Sequence, residues 1–279
     1  MQIGYCTNLI ATQVDGTGRE WIGKGRGIGF DYVELPLAQM MDLRDKEFSS
    51  LKEEVDLSGF KCEACNNFFP GHIRLTGDGI DYRKIEAYLA KALERAALLG
   101  AKVIVFGSSK SKNVPEGYPT DKAWSQLVEL LRFIDPMVRA KGITVVIEPI
   151  CKLESNIITT AAEGLQLCRD VGRENIKLLV DYYHLAMEKE DPEIIVRAGS
   201  YIQHIHFANP AGRVYPTERE DGYVRFVNLL KRVGYEGRMS VEAYAKDFPH
   251  DAKRSVEILR QIAMEGTALN KVRRERHTT

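Results

Sequence analysis

Short apolar runs alternate with longer stretches of helical periodicity along the whole chain. The runs at 2–6, 32–35, 61–65, 102–106, 143–147, 176–180, 202–206 and 238–241 read as strands. Between them lie amphipathic segments such as 81–99, 121–140 and 223–233. The clearest of these, AYLAKALERAALL at 87–99, repeats its apolar residues at helical spacing and meets Gly100, a natural stop. Eight strand-then-helix units without a Pro/Gly-rich linker predict one α/β domain over 1–279, a (β/α)8 TIM barrel. A doubly wound open sheet is the rival, but no G-x-G-x-x-G follows an early strand.

One stretch organises the rest: ITVVIEPICKLESNIITT, 143–160. A continuous apolar run is the mark of a strand buried on both faces, and this one runs straight into Glu148. A carboxylate there sits where a barrel opens, and burial obliges it to find a cation or a proton. Three later strands end in the same way. KLLVDYYH supplies Asp181, IQHIHFAN supplies His206 and MSVEAY supplies Glu242. Alternation puts Val146 with Glu148, Leu179 with Asp181, His204 with His206 and Ser240 with Glu242 on shared faces. Three converging carboxylates repel one another unless a divalent cation joins them. With one imidazole, the set suits Mn2+, Mg2+ or Co2+ better than a structural zinc site.

Other polar residues fall on neighbouring loops. His184 follows Asp181 by three, Arg213 follows His206 on its loop, and Glu154 lies in the loop after Glu148. Each is a candidate substrate contact, with a surface or capping role as the competing reading. His204, one layer deeper than His206, reads as a core histidine satisfied by a neighbour. The long polar loop at 107–119 carries Lys110 and Lys112, read as two solvated lysines with a phosphate contact as the sharper alternative.

Composition then limits the partners. The chain has 279 residues, with 39 Lys+Arg and 39 Asp+Glu, so no net charge favours nucleic acid or an acidic membrane surface. No apolar run reaches the roughly 18 residues a membrane span needs. The start, MQIGYCTNLI, lacks the layout of a signal peptide, so a cytoplasmic protein is expected. The 5 cysteines are an odd number and scattered, which fits reduced thiols. Cys62 and Cys65 form C-x-x-C on a strand, where residues three apart face opposite ways and so should not act together. The basic end, 267–279, reads as a flexible tail.

The segments EPICKLESNIITT, DYYH, HIHFAN and SVEAY resemble the sugar phosphate isomerase/epimerase superfamily with xylose-isomerase-like barrels. Within it, the likeness is greatest to ketose 3-epimerases of the D-tagatose/D-psicose type. It covers nearly the whole chain and is strongest over 101–243. The resemblance implies that Glu148, Asp181, His206 and Glu242 bind a divalent metal, Mn2+ foremost. It also implies that His184, Glu154 and Arg213 contact substrate. Three departures stand out: His206-Phe-Ala-Asn209 where those epimerases have H-x-G-E, an arginine one residue further along, and Glu148-Pro-Ile-Cys-Lys152 in place of E-P-L-N-R.

The activity so implied is metal-dependent epimerisation or isomerisation of a ketose or keto-sugar through an enediolate, with Glu148 and Glu242 as acid and base. The same proton abstraction followed by loss of a β-substituent would be lyase or dehydratase chemistry, on a keto-sugar or a 3-keto-glycoside. Less favoured are an endonuclease IV-like nuclease, which needs more histidines than the 6 here and a basic groove, and a non-catalytic sugar-binding subunit. The expected partner is a small-molecule carbohydrate, with neither nucleic acid nor membrane. A homo-oligomer is expected only by analogy with other barrels.

Overall fold

In the computed structural model, which describes the backbone of residues 1–275 and side chains as far as Glu265, eight parallel strands close into a barrel. They are β1 (Gln2–Cys6), β2 (Tyr32–Pro36), β3 (Cys62–Asn66), β4 (Val103–Phe106), β5 (Thr144–Ile147), β6 (Ile176–Asp181), β7 (Ile202–Phe207) and β8 (Arg238–Val241). Each end falls within one residue of the boundary read from the sequence. Each strand pairs with its sequence neighbour, and β1 closes on β8 through Gln2↔Arg238 to Tyr5↔Val241.

The expected helices form at Tyr82–Leu99, Thr120–Arg139 and Asp221–Arg232. The first begins where the Asp81 carboxylate accepts from the amides of Arg83 and Lys84, and ends at Gly100 in the left-handed conformation, φ 86. Ala161–Val171 covers the span between β5 and β6, and two short helices, Tyr182–Met187 and Ile194–Ala198, cover that between β6 and β7. The last helix, Phe248–Glu275, carries the backbone of the expected basic tail as far as Glu275, and residues 276–279 lie outside the described residues. Among the described residues no helix is long and apolar enough to cross a membrane.

Apolar burial divides into two layers. The larger cluster fills the space between the strands and the surrounding helices. A smaller one, Tyr32, Ala64, Val103, Val105, Val146 and Leu179, packs inside the barrel and plugs it. At the N-terminal end of the strands, Arg238 of β8 forms an ion pair with Glu63 of β3 at 2.5 Å. Those strands are not neighbours, so the pair spans the floor of the barrel.

Strand β3 contains an irregularity that overturns the expectation for its cysteines. Val33 pairs with Cys62 but Glu34 with Ala64, so Glu63 is an extra residue in the ladder. The bulge resets alternation, and Cys62 and Cys65 come to the same side with their sulfurs 3.9 Å apart. All five cysteines are free and buried.

Candidate active site

The C-terminal ends of β5 to β8 deliver four buried polar groups to one point. Asp181 ends β6 and His206 lies in β7, while Glu148 and Glu242 stand one residue beyond β5 and β8. Backbone bonds extend the ladder to those glutamates, Glu148 donating to the Phe106 carbonyl at 3.2 Å and Glu242 to that of Phe207 at 3.1 Å. His206 Nδ1 is 2.9 Å from Glu148 Oε1 and 3.5 Å from Glu242 Oε2. One ligand atom from each of the four lies within 4.8 Å of the others.

This donor set fits a divalent cation. Three carboxylates and one imidazole nitrogen converge in a buried site, and Asp181 Oδ2 is buried there without a hydrogen-bond partner. Burial pushes the Asp181 carboxyl up to about 7 against the pull of Arg213. Burial also opposes charge on Glu242, but Arg213 and His206 outweigh it and hold that carboxyl well below its usual range. For His206, burial works against protonation, yet Glu34 and other anionic neighbours raise it well above the ordinary imidazole value.

The glutamates are held by groups from the earlier strands. Asn66, at the end of β3, donates to Glu242 Oε1 at 2.9 Å and to Asn8 Oδ1 at 2.9 Å. Lys112 corrects the reading of its loop, because it is neither solvated nor turned to a ligand. A helical turn at Ser109–Lys112 buries its side chain completely. There its ammonium donates to the carbonyls of Gly107 at 2.6 Å and Glu148 at 3.0 Å. Burial lowers it to about 8. Lys110 is exposed, as expected.

His184, Glu154 and Arg213 close around the four. The Cys151 amide donates to His184 Nδ1 at 3.2 Å, which leaves the ring proton on Nε2, 3.6 Å from Asp181 Oδ2. Burial lowers His184 to about 3, so the ring is neutral. Arg213 donates to Glu242 Oε2 at 2.5 Å, lies 3.4 Å from Glu154 Oε1, and stacks its guanidinium 4.9 Å above the Tyr183 ring. Its backbone is held at φ 52, a conformation a side-chain-bearing residue rarely adopts. The loop bearing Glu154 is closed by Ile150 donating to the Ile158 carbonyl at 3.0 Å. Asn156 pins that loop to the β4 side through two bonds with the Val114 backbone, each 2.9 Å.

Sequence reasoning missed Glu34, Asn66 and the role of Lys112. Glu34 carried the same signal as Glu148, a carboxylate breaking the apolar run YVELP, but on an early strand. It is wholly buried and bonds both His204 and His206, so His204 is indeed a core histidine with a partner.

Comparison with known proteins agrees with the architecture. A family profile described as "Xylose isomerase-like TIM barrel" matches residues 24–262. An L-ribulose 3-epimerase from Mesorhizobium japonicum is 26% identical over 255 residues, 88% of this chain and 82% of that protein. A D-psicose 3-epimerase from Agrobacterium fabrum is 25% identical over 233 residues, 81% of this chain and 79% of that protein. Among solved structures, D-psicose 3-epimerase with D-tagatose from Clostridium cellulolyticum superposes with a TM-score of 0.81 at 20% identity, over 94% of this chain and 99% of that one.

Proposed function

Because the chain belongs to the xylose isomerase-like TIM barrel family, we propose that it is a divalent-metal-dependent epimerase or isomerase acting on a ketose or keto-sugar through an enediolate. The observation that carries this reading is the convergence of Glu148, Asp181, His206 and Glu242 on one buried point. Those four would hold the cation, with Mn2+ the best match to three carboxylates and an imidazole and Mg2+ or Co2+ next. When bound, it supplies a Lewis acid for the substrate carbonyl and the adjacent hydroxyl.

The residues of the chain handle the proton. Glu148 and Glu242 reach the site from β5 and β8, on two sides of His206. One takes the proton from the carbon beside the carbonyl and the other returns it on the opposite face. The relatives named 3-epimerases support this placement, since carbon 3 of a 2-ketose is adjacent to its carbonyl. His184, neutral with its proton on Nε2, donates to a substrate oxygen. Glu154 and Arg213 hold hydroxyl groups further out, and Arg213 steadies the Glu242 carboxylate that it contacts.

A second outcome of the same abstraction is elimination, on a keto-sugar or a 3-keto-glycoside. The loop after β7 departs from the epimerase pattern without choosing between the two outcomes. There Asn209 is tied to Glu220 at 2.7 Å and Tyr223 at 2.5 Å, so it is committed to the loop and not to a sugar. The test is incubation with ketoses, inososes and 3-keto-glycosides in D2O, followed by NMR. Epimerase chemistry places deuterium on one carbon of an inverted product, and elimination yields an unsaturated one. No exchange with any of these in the metal-loaded protein would remove the enzymatic reading in favour of a binding-only barrel.

A further inference from the structure

Glu34 sits inside the barrel with no solvent exposure, yet three polar side chains contact its carboxylate and a fourth joins through one of them. Its Oε1 is 2.9 Å from His206 Nε2. Its Oε2 is 2.8 Å from His204 Nε2 and 2.5 Å from Ser240 Oγ. Ser240 Oγ in turn lies 2.7 Å from the Tyr32 hydroxyl. The network joins β2, β7 and β8 beneath the candidate metal site.

An ionised carboxylate only accepts hydrogen bonds, so each direct contact needs its hydrogen on the partner. Both histidines therefore carry a proton on Nε2. For His206, Nδ1 is the nitrogen that faces Glu148 and Glu242; by the same rule it too carries a proton while no cation is bound, and a bound cation would take that proton's place. A neutral imidazole is free to place its proton on either nitrogen, and the wrong choice would aim an N–H at the cation. His204 Nδ1 has no partner, and its Nε2 lies 2.8 Å from Glu34 and 3.5 Å from Ser240 Oγ, so it pins the carboxylate from one layer below.

We propose that Glu34 is a positioning residue that fixes the tautomer and ring orientation of His206, so that the Nδ1 lone pair is presented to the metal. The proposal rests on the reading of Glu148, Asp181, His206 and Glu242 as a metal site. Glu34 stands outside the set Glu148, Asp181, His206 and Glu242 and would act through the His206 ring that it contacts. A carboxylate in this place also makes the imidazole a stronger ligand, and the loss of such partners typically weakens metal binding about 10- to 100-fold.

Two measurements test it. The first is Mn2+ affinity of the wild type and Glu34→Gln by chelator competition. A glutamine offers one acceptor oxygen, and its amide cannot accept from the second histidine. The expected result is Mn2+ binding weakened about 10- to 100-fold. At saturating Mn2+, most of kcat should return. The second needs no variant: long-range 1H–15N NMR of the wild type loaded with diamagnetic Mg2+ should show His206 protonated on Nε2 and bare at Nδ1. A wild type that binds neither ion overturns the metal reading and this proposal with it. A wild type that binds, with Glu34→Gln within about twofold of it or with the proton on His206 Nδ1, overturns the role of Glu34 alone.

Discussion

A side chain at Gly107 would place its Cβ 2.0 Å from Oε2 of Glu148. The carboxylate occupies the space that an absent methyl group leaves at the end of the adjacent strand. Gly107→Ala should therefore keep the barrel and displace Glu148. A misplacement of about an ångström at a reacting group costs roughly 100-fold in rate, so kcat/KM should fall by about that factor. Circular dichroism should stay native while metal content drops. An alanine variant with wild-type turnover would show that Glu148 has another productive position.

The two glutamates make the sharpest pair of variants. Glu148→Gln and Glu242→Gln keep size and one carbonyl oxygen but abolish proton transfer. Loss of a general base or acid costs on the order of 100- to 10,000-fold, so turnover should fall by at least that much in each. Deuterium incorporation into substrate is the readout. Exchange at the wild-type rate in both variants would remove the carboxylates as bases and make His184 the first alternative.

Removing the metal should destabilise the fold as well as silence the site. A ligand at 100 times its dissociation constant stabilises by about 2.7 kcal/mol, so chelation should lower the thermal midpoint by roughly 5 °C or more. Asp181→Ala and Glu242→Ala together should abolish that difference, because neither form would then bind the ion. A double variant that still holds stoichiometric metal would refute the proposed ligand set.

Lys112→Met should destabilise more than a surface lysine substitution. It leaves the Gly107 and Glu148 carbonyls without their buried donor, at about 1–3 kcal/mol for each unsatisfied group. Chemical denaturation measures this directly. Because both carbonyls belong to residues at the site, kcat should fall too, whereas Lys110→Met should change neither quantity.

The barrel and its four convergent side chains were legible because buried parallel strands announce themselves as apolar runs, and a charge at the end of such a run is conspicuous. Glu148, Asp181, His206 and Glu242 all have that form. Glu34 has it as well, but nothing in its local sequence says that two histidines some 170 residues later will share it. Lys112 was misread for a different reason. Its loop is polar and rich in small residues, and only the helical turn at Ser109–Lys112 folds the ammonium inward. The cysteine pair escaped because alternation holds only while the ladder is regular, and the extra residue at Glu63 breaks it. Arg213 was placed in the right loop, but its grip on Glu242 depends on a left-handed backbone that its residue type does not advertise.

The sealed floor of the barrel governs traffic. With Tyr32, Val105, Val146 and Leu179 packed inside and the Arg238–Glu63 pair across the base, the barrel interior beneath the candidate site is filled. Under the proposed function, substrate and product would then both pass on the side of the loops of Glu154 and Arg213. Like any catalyst, a barrel carrying out the proposed epimerisation would leave the equilibrium between its two sugars unchanged. Net flux is set by whichever sugar the surroundings supply or drain.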